Sequence, residues 1–340
     1  MIISRNAVSV DQPAAPDIYF SSRYAGACEQ ESPGRWLSLG DPDGSWQMPL
    51  VLSEIPDVPG QFDAASPYGY SGVFVSPEMS LAEQRVLWTE SLDALRTLGV
   101  VSLFLRHSSL VPTIALEAVT PFKEVVANHP TVAVDIQDAD RMWEALAGRT
   151  RTAVRKARKS ALEVGVRRAR PHDFARGSSF RGLYESTMER VGAAPRYFFT
   201  DAYYQALHEG LDQDLMIVEV HADDGSLGAA ALLLRHEGLL HYHLSGSDPS
   251  HARLGANNLM IWGAMVWASE AAVRTFHLGG GVNSDDALIK FKRSFGGRDL
   301  KFRATGHIVN PEAYSRLTTE AQDPSGGSQG FFPAYRGPST

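Results

Sequence analysis

The chain of 340 residues carries a net charge of −7 at pH 7, and 44% of its residues are hydrophobic. This length allows two domains, each with its own core. The composition is typical of soluble globular proteins, and no apolar run in the sequence approaches the roughly 20 residues that cross a bilayer. The start, MIISRNAVSVDQPAAPD, lacks the features of a secretory signal. Because Cys28 is the single cysteine, an internal disulfide is excluded, and we expect a cytoplasmic protein.

The first half is predicted to be mixed strand and helix. Apolar runs between Asp/Pro/Gly turns predict strands at Ile2–Val10, Arg35–Leu39 and Trp46–Ile55. A capping box begins a helix over Ser80–Leu98, and a strand follows at Val100–Leu105. Between them lies SPYGYSG, residues 66–72, whose Tyr70 is either part of a packed turn or a ligand contact.

A basic segment opens the second half. Nine basic residues and one acidic residue lie between Arg149 and Arg170 in an otherwise acidic chain. Over the predicted helix Thr152–Val164 the apolar residues share one face, and another face carries Arg155, Lys156 and Lys159. This face is either simply solvated or a contact for phosphates.

The remaining elements of the second half predict a mixed α/β sheet with helices on its faces. Two helices, around residues 180–191 and after Thr200, precede three strands joined by hairpin turns. These strands are predicted at Leu215–His221, Leu227–Arg235 and Leu239–Ser245. A helix over Leu259–Val273 and a strand at Thr275–Leu278 follow, and the tail from Gln322 is rich in Gly, Pro and Ser.

The stretch LGGGVNSDDALIKFKRSFGG, residues 278–297, is the strongest candidate site. Three glycines allow backbone to approach a ligand closely. Ser284 can cap a short helix, with Asp285 and Asp286 in its first turn. That helix holds three cations in an apolar frame, which suits anionic chemistry: Lys290, Lys292 and Arg293. The alternative is an ordinary glycine turn before an amphipathic helix.

Several other chemistries are excluded or disfavoured. The glycines match neither the Rossmann pattern nor a phosphate-binding loop, and there is no GxSxG elbow. His241 and His243 share one face of a strand, but no third ligand stands at a recognised spacing, so we expect no metal. Asp248, Asp285 and Asp286 could deprotonate an amine, although no sequence signature singles one out as the general base.

Taken together, these segments resemble the Fem family of aminoacyl-tRNA-dependent peptidyltransferases, whose fold is two GNAT-like domains in tandem. The resemblance covers most of residues 150–310, and its most specific element is Phe291-Lys292 before Phe295-Gly296. It is carried by RTAVRKARKSALEVGV, YESTMERVGAAPRYFFTDAYYQAL, HYHLSGSDPSHARLGANNLMIWGAMVWASEAAV and HLGGGVNSDDALIKFKRSFGG. The SPYGYSG segment of the first half is similar to the family in a looser way.

The resemblance implies transfer of an aminoacyl group from charged tRNA to an amine, forming an amide. Lys292 would stabilise the tetrahedral oxyanion, with the Phe291 backbone nearby. The basic helix residues Arg155, Lys156 and Lys159 would contact tRNA. The acceptor would be bound by Arg190, Tyr242, Tyr70, Gly280 and Gly281. No cofactor is implied beyond aminoacyl-tRNA as co-substrate, and we expect a monomer that does not contact a membrane.

The resemblance also implies a domain organisation. Residues 1–147 would form the first GNAT-like domain, to which residues 303–320 return, and residues 148–302 would form the second. Residues 321–340 would be a flexible tail. There is no room for the long helical arm of some members, so the chain resembles the arm-less type.

The acceptor and the acyl donor both leave alternatives open. The lysine segment with which cell-wall members bind a nucleotide-sugar phosphate is absent from DIYFSSRYAGACEQESPGRW. A small peptide or amino-nucleoside of antibiotic biosynthesis is therefore at least as good a candidate as a peptidoglycan precursor. The rival donor is acetyl-CoA or another thioester of GNAT enzymes, but HARLGANN departs from their pyrophosphate loop at Ala252 and Asn257. A catalytically inactive double-GNAT binding module is the third alternative.

Overall fold

The computed structural model describes residues 2–4, 14–31, 34–120, 124–281, 287–321 and 331–336. Its strands are β1 (Ile2–Ser4), β2 (Arg35–Gly40), β3 (Trp46–Glu54), β4 (Phe62–Ala65), β5 (Phe74–Val75), β6 (Val100–His107), β7 (Glu124–Asp135), β8 (Glu163–Arg168), β9 (Leu215–His221), β10 (Leu227–His236), β11 (Leu239–Ser247), β12 (Thr275–Gly280) and β13 (Arg298–Ile308). Its α-helices are α1 (Ala25–Glu31), α2 (Leu81–Thr97), α3 (Leu116–Val119), α4 (Ala139–Ala145), α5 (Gly148–Lys159), α6 (Ser179–Arg190), α7 (Asp201–Leu211), α8 (Pro249–Leu254), α9 (Ala256–Glu270), α10 (Ala287–Arg293) and α11 (Pro311–Ala321). None of these helices is long and apolar enough to cross a membrane.

The chain folds into two compact units. Unit 1 comprises residues 1–128 and 301–340, and unit 2 comprises residues 129–300. Unit 2 thus takes in residues 129–147, which the sequence analysis assigned to the first domain, because β7 pairs there with β12 and Met142 of α4 joins its core. The mixed α/β fold class is confirmed.

In unit 1 the strand order is β1-β2-β3-β4-β6-β13, with β5 paired to β3. All neighbours are antiparallel except β4 and β6, which are parallel. Helix α2 has the predicted capping box of Ser80 and Glu83. It buries Trp88 and Leu95 in a core shared with β3 and β6, because these positions recur at helical spacing on one face.

In unit 2 the strand order is β7-β12-β11-β10-β9-β8. The three predicted meander strands are observed as β9, β10 and β11. Among the described strands of unit 2, β11 and β12 are the only parallel pair. Helix α9 connects β11 to β12 and is apolar around most of its circumference, since α5 covers it on one side and the sheet on the other. Counted from β1 in unit 1 and from β8 in unit 2, the two sheets therefore have the same pattern of neighbouring strands: three antiparallel pairs, one parallel pair and a final antiparallel pair.

Two regions differ from the prediction. The basic helix starts at Gly148 and ends at Lys159, and residues 163–168 form β8 instead of continuing it, since Ala161 takes a positive φ of 55° and breaks the helix. Residues 331–336, which the prediction placed in a flexible tail, pack on unit 1. There the Phe332 ring lies against Gly306, and Arg336 Nε donates to Asp63 Oδ2 at 2.6 Å.

Candidate active site

The candidate site of unit 2 is an opening between two strands. Strands β11 and β12 run parallel and pair from Leu239–Thr275 to His241–His277, and within the described residues their pairing stops there. Both strands continue, β11 to Ser247 and β12 to Gly280. We call this opening, between residues 242–247 and 278–280, the strand wedge. Strands that separate leave backbone donors and acceptors turned toward the space between them, where an extended ligand can pair with them.

Lys292 reaches the strand wedge from α10. Its side chain is only 6% exposed, and its Nζ donates to the Gly280 carbonyl oxygen at 2.6 Å. The same Nζ lies 5.9 Å from the centroid of the Tyr242 ring. A buried ammonium requires such partners, because an uncompensated charge away from water is strongly unfavourable. The structure thus brings Lys292, Gly280 and Tyr242 together.

The residues next to Lys292 pack its helix against apolar side chains. Phe291 is half-buried and packs edge to face on Phe295, with ring centroids 5.2 Å apart. Ile289 is fully buried in the core of unit 2. Gly281 follows β12 and is half-buried. The predicted helix cap, which consists of Ser284, Asp285 and Asp286, lies outside the described residues.

Tyr242 contributes a protonated phenol to the strand wedge. Burial raises the pKa of Tyr242 to about 12, so its hydroxyl remains a hydrogen-bond donor at neutral pH. Tyr242 packs against the apolar core that α5 and α9 form with the sheet. Its neighbours His241 and His243 point to the opposite face, because side chains alternate along a strand.

Two histidines behind the wedge, His243 and His277, are neutral and hydrogen-bonded. His243 Nε2 lies 2.8 Å from the Tyr203 hydroxyl, and His277 Nε2 lies 2.9 Å from Thr131 Oγ1. Burial lowers the pKa of His243 to about 3, with His241 adding to the shift, and it lowers the pKa of His277 well below its ordinary value. No group of three metal-binding side chains occurs among the described residues.

Arg190 lies at the far end of β11. It is the last residue of α6, is exposed, and donates from Nη2 to the Ser247 carbonyl oxygen at 3.0 Å and to Thr187 Oγ1 at 3.2 Å. Thr187 Oγ1 in turn accepts from Ser247 N at 3.0 Å. The guanidinium is therefore held at the mouth of the wedge while part of it faces solvent, where it can meet an anion.

Helix α5 presents the predicted cations on its exposed face. Val154 and Ala157 are fully buried, while the three cations predicted to contact tRNA are exposed: Arg155, Lys156 and Lys159. Arg155 stacks over the Trp143 ring at 5.3 Å, and Lys156 Nζ donates to the Arg253 carbonyl oxygen at 2.8 Å. Stacking and capping hold two of these side chains in place, and a fixed cationic surface of this kind suits a polyanion.

Tyr70 belongs to unit 1, in an aromatic cluster. Its ring packs edge to face on Tyr19 at 6.0 Å and on Phe302 at 5.4 Å. Gly69 has a φ of 122°, and a Cβ there would overlap the Tyr19 ring. The SPYGYSG segment is therefore a packed turn, and a ligand role for Tyr70 stays a prediction.

Unit 1 differs from unit 2 at the corresponding strand pair. Strands β4 and β6 pair in parallel from Phe62–Val100 to Ala65–Phe104. Beyond that point Arg106 N donates to Ser66 Oγ at 2.8 Å, and Ser71 forms a parallel bridge with His107. The SPYGYSG segment thus occupies the position at which unit 2 has its strand wedge.

Sequence reasoning missed two hydroxyl residues that support the site. Thr150 Oγ1 donates to Ser294 Oγ at 2.8 Å, and Ser294 Oγ donates to the Phe291 carbonyl oxygen at 2.6 Å. The second bond could have been predicted, because a serine three residues after another helical residue commonly bonds its carbonyl. The first joins residues far apart in the sequence, and no local pattern predicts it.

Comparison with known proteins extends this picture. Residues 148–293 match the family described as an acetyltransferase (GNAT) domain. The crystal structure of FemX covers 90% of this chain and 96% of its own, with 15% identity and a TM-score of 0.70. L-PGS from Bacillus licheniformis covers 92% and 98%, with 12% identity and a TM-score of 0.54. A tandem GNAT protein from the clavulanic acid biosynthesis pathway covers 89% and 91%, with 12% identity and a TM-score of 0.51.

A search of the curated proteins finds no match. At these identities the structural likenesses establish the fold, while the family match is confined to unit 2. The chain thus shares the fold of FemX and of tandem GNAT proteins, and residues 148–293 match the acetyltransferase (GNAT) domain family.

Proposed function

We propose that the protein transfers an aminoacyl group from charged tRNA to the amine of a small acceptor, forming an amide. The observation that carries this proposal is the buried Lys292 ammonium, held 2.6 Å from the Gly280 carbonyl oxygen at the strand wedge. The exposed cations of α5 belong to the same unit. The likeness to FemX in fold supports the proposal, since the sequence resembles that family at the same residues.

The chemistry suits a fixed cation. The neutral amine attacks the ester carbonyl carbon, a tetrahedral oxyanion forms, and the ribose oxygen of tRNA leaves and takes up a proton as the amine loses one. Lysine carries three N–H donors, and Gly280 accepts one of them. A further donor directed at the oxyanion stabilises the transition state without reorganisation during the reaction.

The acceptor sites follow from the same arrangement. Arg190, anchored to Ser247, would bind an anionic group of the acceptor. Tyr242, with its protonated phenol, would line the wedge beside Gly280 and Gly281. These roles fit a small peptide, an amino-nucleoside or a peptidoglycan precursor, and the neighbour from the clavulanic acid pathway supports a role in natural-product assembly.

The second candidate is transfer from acetyl-CoA or another acyl thioester. The match of residues 148–293 to an acetyltransferase (GNAT) domain favours it. Such enzymes bind a pyrophosphate on the backbone N–H groups at a helix N-terminus. Here a Cβ on Gly255, which precedes α9, would overlap the Ala153 carbonyl oxygen of α5. Close packing against α5 thus explains Gly255, and the departures of HARLGANN from the pyrophosphate loop at Ala252 and Asn257 support the tRNA donor.

Donor and acceptor can be tested together. Purified protein would be incubated with charged tRNA or with acetyl-CoA and a panel of amines with and without a carboxylate, and amide products measured by mass spectrometry. We expect product from charged tRNA that RNase abolishes. Product with release of free CoA and no response to RNase would replace this proposal with the thioester alternative. Absence of product from both donors across the panel would contradict an acyl transfer to small amines.

A further inference from the structure

A hydrogen-bond chain joins the basic helix to the segment that carries Lys292. Thr150 lies in the first turn of α5, and its hydroxyl donates to Ser294 Oγ at 2.8 Å. Ser294 Oγ donates onward to the Phe291 carbonyl oxygen at 2.6 Å. The two hydroxyl residues are 1% and 6% exposed. Buried hydroxyls are paired because an unmet donor away from water is costly, so this chain has one preferred arrangement.

Two further backbone contacts fix α10 on the same support. Ala147 N donates to the Ser294 carbonyl oxygen at 2.9 Å, and Arg149 Nη2 donates to the Lys290 carbonyl oxygen at 3.1 Å. Gly296, with φ of 79°, lies so near α4 that a Cβ would be 2.9 Å from the Ala145 Cβ. The carbonyl oxygens at the end of α10 are thus satisfied by the start of α5, as a helix end requires.

Helix α10 needs such a support. Its described part is seven residues long, and helices of this length are not stable by themselves in water. Its orientation is therefore set by what it packs against. An oxyanion donor must be held within about 0.5 Å of its productive position, and a displacement of about 1 Å can cost 100-fold in rate.

We propose that Thr150 and Ser294 are positioning residues that aim Lys292 at the strand wedge. Helix α5 has two working faces: its exposed cations meet the donor, and the buried Thr150 holds the carbonyl of Phe291, next to Lys292. The helix that receives the donor is then also the support that orients the catalytic group. This inference rests on the proposed function, because it takes Lys292 as the group that stabilises the oxyanion.

The test uses Thr150→Val, which keeps the shape but removes the donor, and Thr150→Ser, which keeps the donor, as its matched control. Single-turnover and steady-state rates with charged tRNA and an amine acceptor would give kcat and KM for each variant. We expect Thr150→Val to lower kcat about 10- to 100-fold. KM for tRNA and its salt dependence stay unchanged, because the exposed cations are untouched. Thr150→Ser should restore most of kcat.

Ser294→Ala and the double variant provide the second measurement, and they also serve if Thr150→Val does not fold. If the hydroxyls act through one chain, Ser294→Ala lowers kcat alone, and adding Thr150→Val lowers it no further. Wild-type kcat in a folded Ser294→Ala or Thr150→Val would overturn the inference, as would losses that multiply in the double variant. A Lys292→Met variant separates the two proposals. If it is inactive while the hydroxyl variants are not, only the positioning role fails; if it is fully active, the proposed chemistry fails.

Discussion

Replacement of Lys292 by Met tests the proposed chemistry most directly. Methionine has nearly the same length and apolar stem, so the change removes the cation while the site stays filled. Loss of one preorganised oxyanion donor costs about 2.7–4 kcal/mol, or roughly 100- to 1,000-fold in kcat. The carbonyl of Gly280 loses a partner, at a cost of about 1–3 kcal/mol. This cost is offset because a 6% exposed ammonium no longer has to be buried, so we expect the free energy of unfolding to change little.

The measurement is single-turnover transfer from charged tRNA, with thermal unfolding recorded on the same samples. Lys290→Met is the matched control, because Lys290 lies on the same helix and its side chain is exposed. We expect the control to keep its rate within a few-fold while Lys292→Met loses at least 100-fold. The reasoning is refuted if folded Lys292→Met transfers at the wild-type rate, or if Lys290→Met loses as much.

Three further predictions concern the basic helix, a glycine and a buried histidine. The first variant replaces three exposed cations by Gln: Arg155, Lys156 and Lys159. It should raise KM for tRNA and reduce the slope of log KM against log salt concentration by about two units. An unchanged slope would show that tRNA does not bind this face. Gly255→Ala should lower the free energy of unfolding in urea by about 2–4 kcal/mol, because φ is 97° and the Cβ meets Ala153. Gly225→Ala, with φ of 82° and open space around it, should cost only about 1 kcal/mol, and equal losses would contradict the packing argument. The pKa of His243 is lowered from its ordinary 6.5 to about 3. Between these pH values the folded state therefore binds fewer protons than the unfolded state, so the free energy of unfolding falls as pH falls from 6.5 toward 3. His243→Gln should reduce that loss by up to about 1.4 kcal/mol per pH unit in urea unfolding between pH 4 and 7, and an unchanged acid dependence would show that His243 is not the group responsible.

The elements that sequence predicted well are those with strong local signals. The capping box at Ser80 and the hairpin turns of the meander fix helix and strand ends within a few residues. Strand β7 was missed because Pro130 interrupts it, and proline normally argues against a strand. Strand β8 is not predicted, because its first two residues, Glu163 and Val164, fall in the helix that the sequence predicts over Thr152–Val164.

Three residues that the structure brings together at the candidate site are predicted from the sequence, but the construction of the site is not. Lys292 was singled out by its apolar frame and by resemblance, and the structure places it beside Tyr242 and Gly280. The strand wedge depends on where two distant strands stop pairing, and the Thr150–Ser294 bond joins residues far apart in sequence. Neither leaves a periodic signal, because non-local pairing is set by tertiary packing.

The two units show why a repeated fold need not repeat its chemistry. Among the described strands each unit has one parallel pair, and where the strands of such a pair separate, their backbone groups need other partners. In unit 1 the chain itself does so, since Ser66 and Ser71 continue the ladder alongside Arg106 and His107. In unit 2 a long polypeptide insertion is absent from the described turn between β11 and α9, where α8 begins directly at Pro249. Lys292 contacts Gly280 and Tyr242 at this wedge, so we expect one acyl-transfer centre per chain and an aromatic surface without that chemistry in unit 1.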